Sequence, residues 1–241
     1  IYILEAGSDK NKVSKYYTWY AESDLIKKEG LRYSRGMNFA LLQLFKEKKW
    51  KKYDAFFLLT NDTELSPVQT LAPMKNILQE HKRVGILSPC SSKWGENLLF
   101  NKTSIKYFWF IHNNALLFRR SFLESIMETS QPNSMNFIFD GSNFRGYFSE
   151  SEIIAKAYAN NWAAAITTQV FAEENESYLL NKSDLIRTES YEENIRLYIK
   201  DGENWLRRKY GFNSRWAMQQ YVKSFYDRFF EFYPEYEQYK I

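Results

Sequence analysis

Cysteine is almost missing from this chain of 241 residues: Cys90 stands alone, so no disulfide can form within it and a reducing compartment is expected. Histidine is nearly as scarce. The only two, His81 and His112, leave no multi-histidine metal centre, so a cation would need carboxylate and carbonyl oxygen. No apolar run is long enough to span a bilayer. Internal repeats and low-complexity tracts are absent too. Neither sign of charge dominates: 33 basic against 29 acidic residues give a formal +4, too mild to make nucleic acid the default partner.

Aromatic residues are plentiful, with 18 Tyr, 19 Phe and 7 Trp. A hydrophobic share of 44% with 26% charged residues suits one large globular domain, or a domain with an appendage. Short apolar runs alternate with helical stretches. Strands are expected at 1–4, 54–59, 83–89 and within "WAAAITT"; two short apolar pieces flank a polar kink in 107–118. Helices are expected over roughly 10–28, 36–49, 67–81 and 150–160. This alternation predicts an α/β fold with a mostly parallel sheet flanked by helices. Ligand crevices in such sheets lie beyond the carboxyl ends of the strands. From about 185 the character changes. Met218, Val222, Phe225, Phe229 and Phe232 form an apolar stripe at 4-3-4-3 spacing, and Tyr191, Ile195, Tyr198 and Trp205 suggest an earlier helix, so a helical C-terminal extension is expected over 185–241.

One stretch stands out chemically. "YDAFFLLTNDTELSP" (53–67) runs from an apolar strand core, Phe56 to Leu59, straight into Thr60, Asn61 and Asp62. A carboxylate there could grip a cation at a rigid strand end, or the cluster could simply be a turn with a Ser/Thr or Asx cap. A second acidic pair, Glu150 and Glu152 in "SESE", begins a helix, where the macrodipole favours carboxylates in any case.

Six segments taken together resemble the inverting glycosyltransferases of GT-A (Rossmann-like) fold, specifically glycosyltransferase family two. They are "YILEAGSD", "GLRYSRGMNFAL", "FFLLTNDTELSP", "RVGILSP", "NNALLFRRSFLESI" and "FDGSNFRGYFSESEIIAKAYANNW", in the family's order over about 1–178. The resemblance implies a catalytic domain over 1–184 that lacks the family's first strand and helix, and the domain is accordingly expected to start upstream of Ile1. It implies transfer of a sugar from a nucleotide diphosphate donor to a hydroxyl of a glycan or lipid-linked acceptor. A divalent cation, Mn²⁺ or Mg²⁺, would assist.

By the same resemblance, Asp62 is the metal-binding carboxylate, with Thr60 and Asn61 completing the D-x-D position; Thr60 brings a hydroxyl where the family has an acid. Glu150 takes the place of the catalytic base and Glu152 that of the following acid on the acceptor side. Glu5 and Ser8 would meet the nucleotide, and Arg35 and Asn38 would line the donor pocket, Asn38 being equally suited to a helix cap. His112 and Asn113 fall on the acceptor-side strand, where a partly buried structural histidine is the plain alternative. The family's metal histidine after the last strand has no counterpart, and Glu173 is the residue that could replace it.

"KEKKWKKY" (46–53) packs five lysines into seven residues, either a solvated helix end or a surface attracted to an anionic leaflet. The whole is expected to be cytoplasmic, with peripheral contact to the inner face of a membrane. Two other functions fit the same residues: a nucleotide-sugar-binding or scaffold protein without turnover, and a sugar nucleotidyltransferase.

Overall fold

The computed structural model describes residues 1–66, 69–93, 96–100, 103–111, 115–175 and 190–241. The chain folds as two compact units. The first comprises Ile1–Lys52, Met127–Ser149 and Lys182–Gly211; the second comprises Tyr53–Ile126, Glu150–Asn181 and Phe212–Ile241.

In the first unit, β1 (Leu4–Ala6) and β2 (Trp19–Ala21) pair in parallel. Residues 10–18, expected as helix, form turns instead, and α1 is confined to Asp24–Glu29, capped by the Ser23 hydroxyl on the Ile26 amide. Helix α2 (Arg32–Lys46) starts four residues earlier than its apolar spacing suggested. Asn38 lies in mid-helix and fully buried, so it is no cap. Its Nδ2 donates to the carbonyls of Ser134 and Phe139, and its Oδ1 accepts from the amides of Ile138 and Phe139. One buried amide side chain thus satisfies the backbone of a loop about a hundred residues away, which could otherwise not be dehydrated.

In the second unit, β3 (Ala55–Leu59), β4 (Thr63–Leu65), β5 (Val84–Cys90), β6 (Ile105–Tyr107), β7 (Ala115–Arg119) and β8 (Ala163–Glu174) form a six-stranded sheet ordered β3-β7-β5-β8-β4, with β6 also on β8. The sheet is mixed, which corrects the expectation of mostly parallel strands. β7 runs antiparallel to both β3 and β5, and among these strands only β5 and β8 pair in parallel. An apolar run such as Ala115–Phe118 reports burial on both faces; it carries no mark of direction. Every residue of β5 is buried. Helices α3 (Leu71–Glu80) and α4 (Arg120–Ile126) pack on this sheet, and α4 comes so close that a Cβ on Gly85 would lie 2.8 Å from Phe122. Only glycine permits that approach.

Helix α5 (Ser149–Ala159) precedes β8. The expected C-terminal helices are present as α6 (Tyr191–Tyr210) and α7 (Arg215–Phe232), but α6 belongs to the first unit and α7 to the second. The boundary expected at 184/185 falls outside the described residues. On α7 the buried face runs through Met218, Val222, Tyr226, Phe229 and Phe230, while Phe232 is exposed. On α6, Trp205 is buried whereas Tyr191 and Ile195 are exposed. No helix among the described residues is long and apolar enough to cross a membrane.

Candidate active site

Because β7 is antiparallel to both neighbours, β3, β5 and β8 all point the same way, and their carboxyl ends share one edge of the sheet. Strand β8 overhangs that edge. Its last residues pair with β4, Thr63 opposite Glu174 and Glu64 opposite Glu173. A strand of only three half-polar residues is invisible to periodicity, and the overhang of β8 supplies the partner that makes it.

Between β3 and β4 the chain turns through Thr60–Asn61–Asp62, with the Thr63 amide donating to Thr60 O at 3.3 Å. The two threonine hydroxyls, Thr60 and Thr63, lie 2.9 Å apart. Asn61 is exposed at the tip. Asp62 O accepts from the Asn175 amide at 2.9 Å, which binds this turn to the end of β8. The Asp62 side chain is half-buried, and its Oδ1 is shut off from solvent with no hydrogen-bond partner among the described residues. A buried polar atom left in that state costs about 1–3 kcal/mol, more for a charge, so this oxygen is a ready ligand for a cation.

Glu173, the candidate substitute for a metal histidine, is hydrogen-bonded by two serines. Its Oε1 accepts from the Ser92 amide at 2.6 Å and the Ser92 hydroxyl at 2.7 Å, and Oε2 accepts from Ser91 Oγ at 2.7 Å. Burial pushes this carboxyl up, but the hydrogen bonds from Ser92 and Ser91 outweigh it and hold the group below its ordinary value. Glu173 therefore splices the turn after β5 to β8. Glu64, opposite it, accepts from the side-chain amide of Asn175. Among the described residues no group of three or more acidic, histidine or cysteine side chains is placed to hold a metal.

Glu150 lies in the first turn of α5, half-buried. After α5 the chain reverses within three residues: Asn161 adopts φ 62 and the Trp162 amide returns to Ala157 O at 2.9 Å. The carboxyl end of the helix is tied to the start of β8, where the Tyr158 hydroxyl donates to Ala164 O at 2.9 Å. Just before α5, Phe148 is held at φ 61 with its ring buried, a backbone state that bulky residues avoid. Strain of this kind gathers at functional sites. Gln219 of α7 donates to the Ser151 hydroxyl at 3.3 Å and steadies the same turn. Glu152 is buried, 4% exposed, with its carboxylate 3.9 Å from Lys156 Nζ. His112 and Asn113 lie outside the described residues.

Glu5, Ser8 and Arg35 belong to the first unit. Glu5 accepts from the Ser14 amide at 3.0 Å and from the Ser8 hydroxyl at 3.3 Å. Arg35 Nε donates to Gly141 O at 2.8 Å while its guanidinium stacks 4.6 Å from the Phe144 ring centre. Sequence reasoning passed over Asp140 in "FDGS". It accepts from Trp205 Nε1 at 3.0 Å, Lys209 Nζ at 2.5 Å and the Ser142 hydroxyl at 2.6 Å. Burial raises its carboxyl, but those hydrogen bonds prevail and hold it far below the usual carboxylate range. Comparison with protein-family models, with curated proteins and with solved structures finds nothing that matches this chain.

Proposed function

We propose that the chain is an inverting glycosyltransferase that moves a sugar from a nucleotide diphosphate to a hydroxyl of a glycan or lipid-linked acceptor. The observation that carries this proposal is the buried Oδ1 of Asp62, without a hydrogen-bond partner among the described residues, at the carboxyl edge of the sheet. One carboxylate fits a Mn²⁺ or Mg²⁺ ion that takes its other ligands from water and from the donor's phosphates. When bound, the ion supplies Lewis-acid stabilisation of the charge that grows on the departing diphosphate. Asp62 anchors it, and the splice from Glu173 to Ser91 and Ser92 keeps the neighbouring strand ends rigid.

Glu150 is the base. An acceptor hydroxyl is a poor nucleophile at neutral pH, so a carboxylate must take its proton as the oxygen attacks the anomeric carbon. Attack on the face opposite the leaving diphosphate inverts that carbon. The strained Phe148 and the Gln219–Ser151 contact hold the first turn of α5 in one position, which general-base catalysis needs.

A second reading is favoured by a specific observation: Thr60 is engaged with Thr63 and Glu173 with two serines, so the cation site is sparse. This is what a donor-binding protein without turnover would have. One experiment separates the two. Thermal shift with UDP-, GDP-, dTDP- and CDP-sugars, with and without Mn²⁺, identifies the donor, and calorimetry with Asp62→Asn then tests the site. Cation-dependent donor binding is expected for the native chain and should vanish in the variant. Binding that ignores both Mn²⁺ and Asp62→Asn would end the metal-dependent proposal; binding without transfer or hydrolysis would favour the second reading.

A further inference from the structure

The lysine-rich segment 46–52 has no part in the proposed chemistry, and the fold sorts its five lysines into two kinds. Lys49 works internally: its ammonium lies 2.7 Å from Glu47 and 5.5 Å from the centre of the Tyr2 ring. Glu47 also accepts from Trp19 Nε1 at 2.8 Å, so the one acid of the segment is fully committed. Lys46, Lys48, Lys51 and Lys52 are all exposed, and among the described residues none of their ammonium groups has an ion pair. A helix dipole accounts for Lys46 alone, since α2 ends there and the other three lie beyond its last turn. Lys48 is held at φ 56, in the left-handed region, where the chain folds back into the single 3-10 turn Trp50–Lys52. That fold places Lys48 and Lys51 on the walls of a cleft of about 240 Å³ lined also by Phe45 and Trp50.

We propose that this surface docks the protein on an anionic lipid bilayer. Four uncompensated positive charges in seven residues complement a negatively charged leaflet, whose surface potential asks for charge density and no particular geometry. A nucleic acid is a poorer match. The segment contains no arginine, the side chain that grips phosphates in pairs. The proposal is independent of the transferase assignment.

Vesicle co-sedimentation with the full chain tests it, comparing phosphatidylcholine vesicles with and without phosphatidylglycerol. Each lysine near an anionic surface multiplies partitioning about fivefold. Binding should therefore depend on phosphatidylglycerol, weaken with salt, and fall at least about a hundredfold when Lys48, Lys51 and Lys52 are all changed to Glu. A control that changes the exposed Lys28, Lys75 and Lys200 to Glu alters net charge equally and should bind far better than the patch variant. Replacing Lys48, Lys51 and Lys52 by Arg should preserve binding. Equal loss in both Glu variants, no preference for phosphatidylglycerol, or an oligonucleotide bound through these lysines in a protein that ignores vesicles would each overturn the proposal.

Discussion

Glu150 and Asp140 illustrate two opposite uses of a carboxylate. If Glu150 removes the acceptor's proton, Glu150→Gln should cut transfer by roughly 10²- to 10⁴-fold while leaving donor affinity intact, measured by single-turnover transfer beside calorimetry. Unchanged transfer would remove Glu150 from that role. Asp140 instead spends its charge on structure, receiving Trp205, Lys209 and Ser142. Asp140→Asn should cost the first unit about 1.5–3 kcal/mol in denaturant unfolding, the range for hydrogen bonds to a charged group. The sign of the pH effect follows from a carboxyl depressed in the folded state. Its stabilisation is complete above the unfolded value near pH 4 and is lost as pH falls below it. Native stability should therefore drop in acid more steeply than that of Asp140→Asn, as read from melting curves across pH. The chemical type of each acid was visible in the sequence, but its employment was not. Glu173, a candidate metal ligand by resemblance, also accepts from serines 81 and 82 positions away, contacts that no local pattern announces.

Helix α6 shows how an element is specified at its ends by the sequence and along its face by its neighbours. Ser190 caps its start on the Glu193 amide, Gly211 ends it at φ 72, and basic residues fill the last turn. These signals are local and can be read directly. Its packing depends on Gly202, where an added Cβ would fall 2.1 Å from the Tyr147 ring. Gly202→Ala should lower the stability of the first unit by about 1–3 kcal/mol despite alanine's better helix propensity. Tyr147→Gly in the same chain, which also removes the Tyr147 Cβ that would lie 2.3 Å from the new methyl, should recover part of the loss, and the two-variant cycle in urea measures this coupling. A helix of isolated good propensity would show the reverse sign.

At the scale of the whole molecule, the aromatic content is where sequence abundance becomes a structural property. In the second unit Tyr107, Tyr158 and Tyr226 are buried, and burial above all pushes their hydroxyls well above the ordinary value. A raised phenol stabilises the fold fully below the unfolded value near pH 10, and that contribution is lost as pH rises beyond it. Of the 18 tyrosines, these three should ionise only as the second unit unfolds, so tyrosinate absorbance in alkali should show a late phase coincident with loss of circular dichroism. Ionisation of all tyrosines near pH 10 with the fold intact would contradict the buried cluster. By itself the sequence determined strands at about 54–59 and 83–89 and a helix at about 150–160, which the fold places at Ala55–Leu59, Val84–Cys90 and Ser149–Ala159, because apolar runs and periodicity depend on near neighbours in the chain. Only the tertiary structure decided that β7 runs antiparallel, that β4 exists, that α6 and α7 join different units, and which carboxylate oxygens find partners. Those outcomes are set by groups distant in the chain competing for the same backbone amides and buried surface, and no local pattern records who wins.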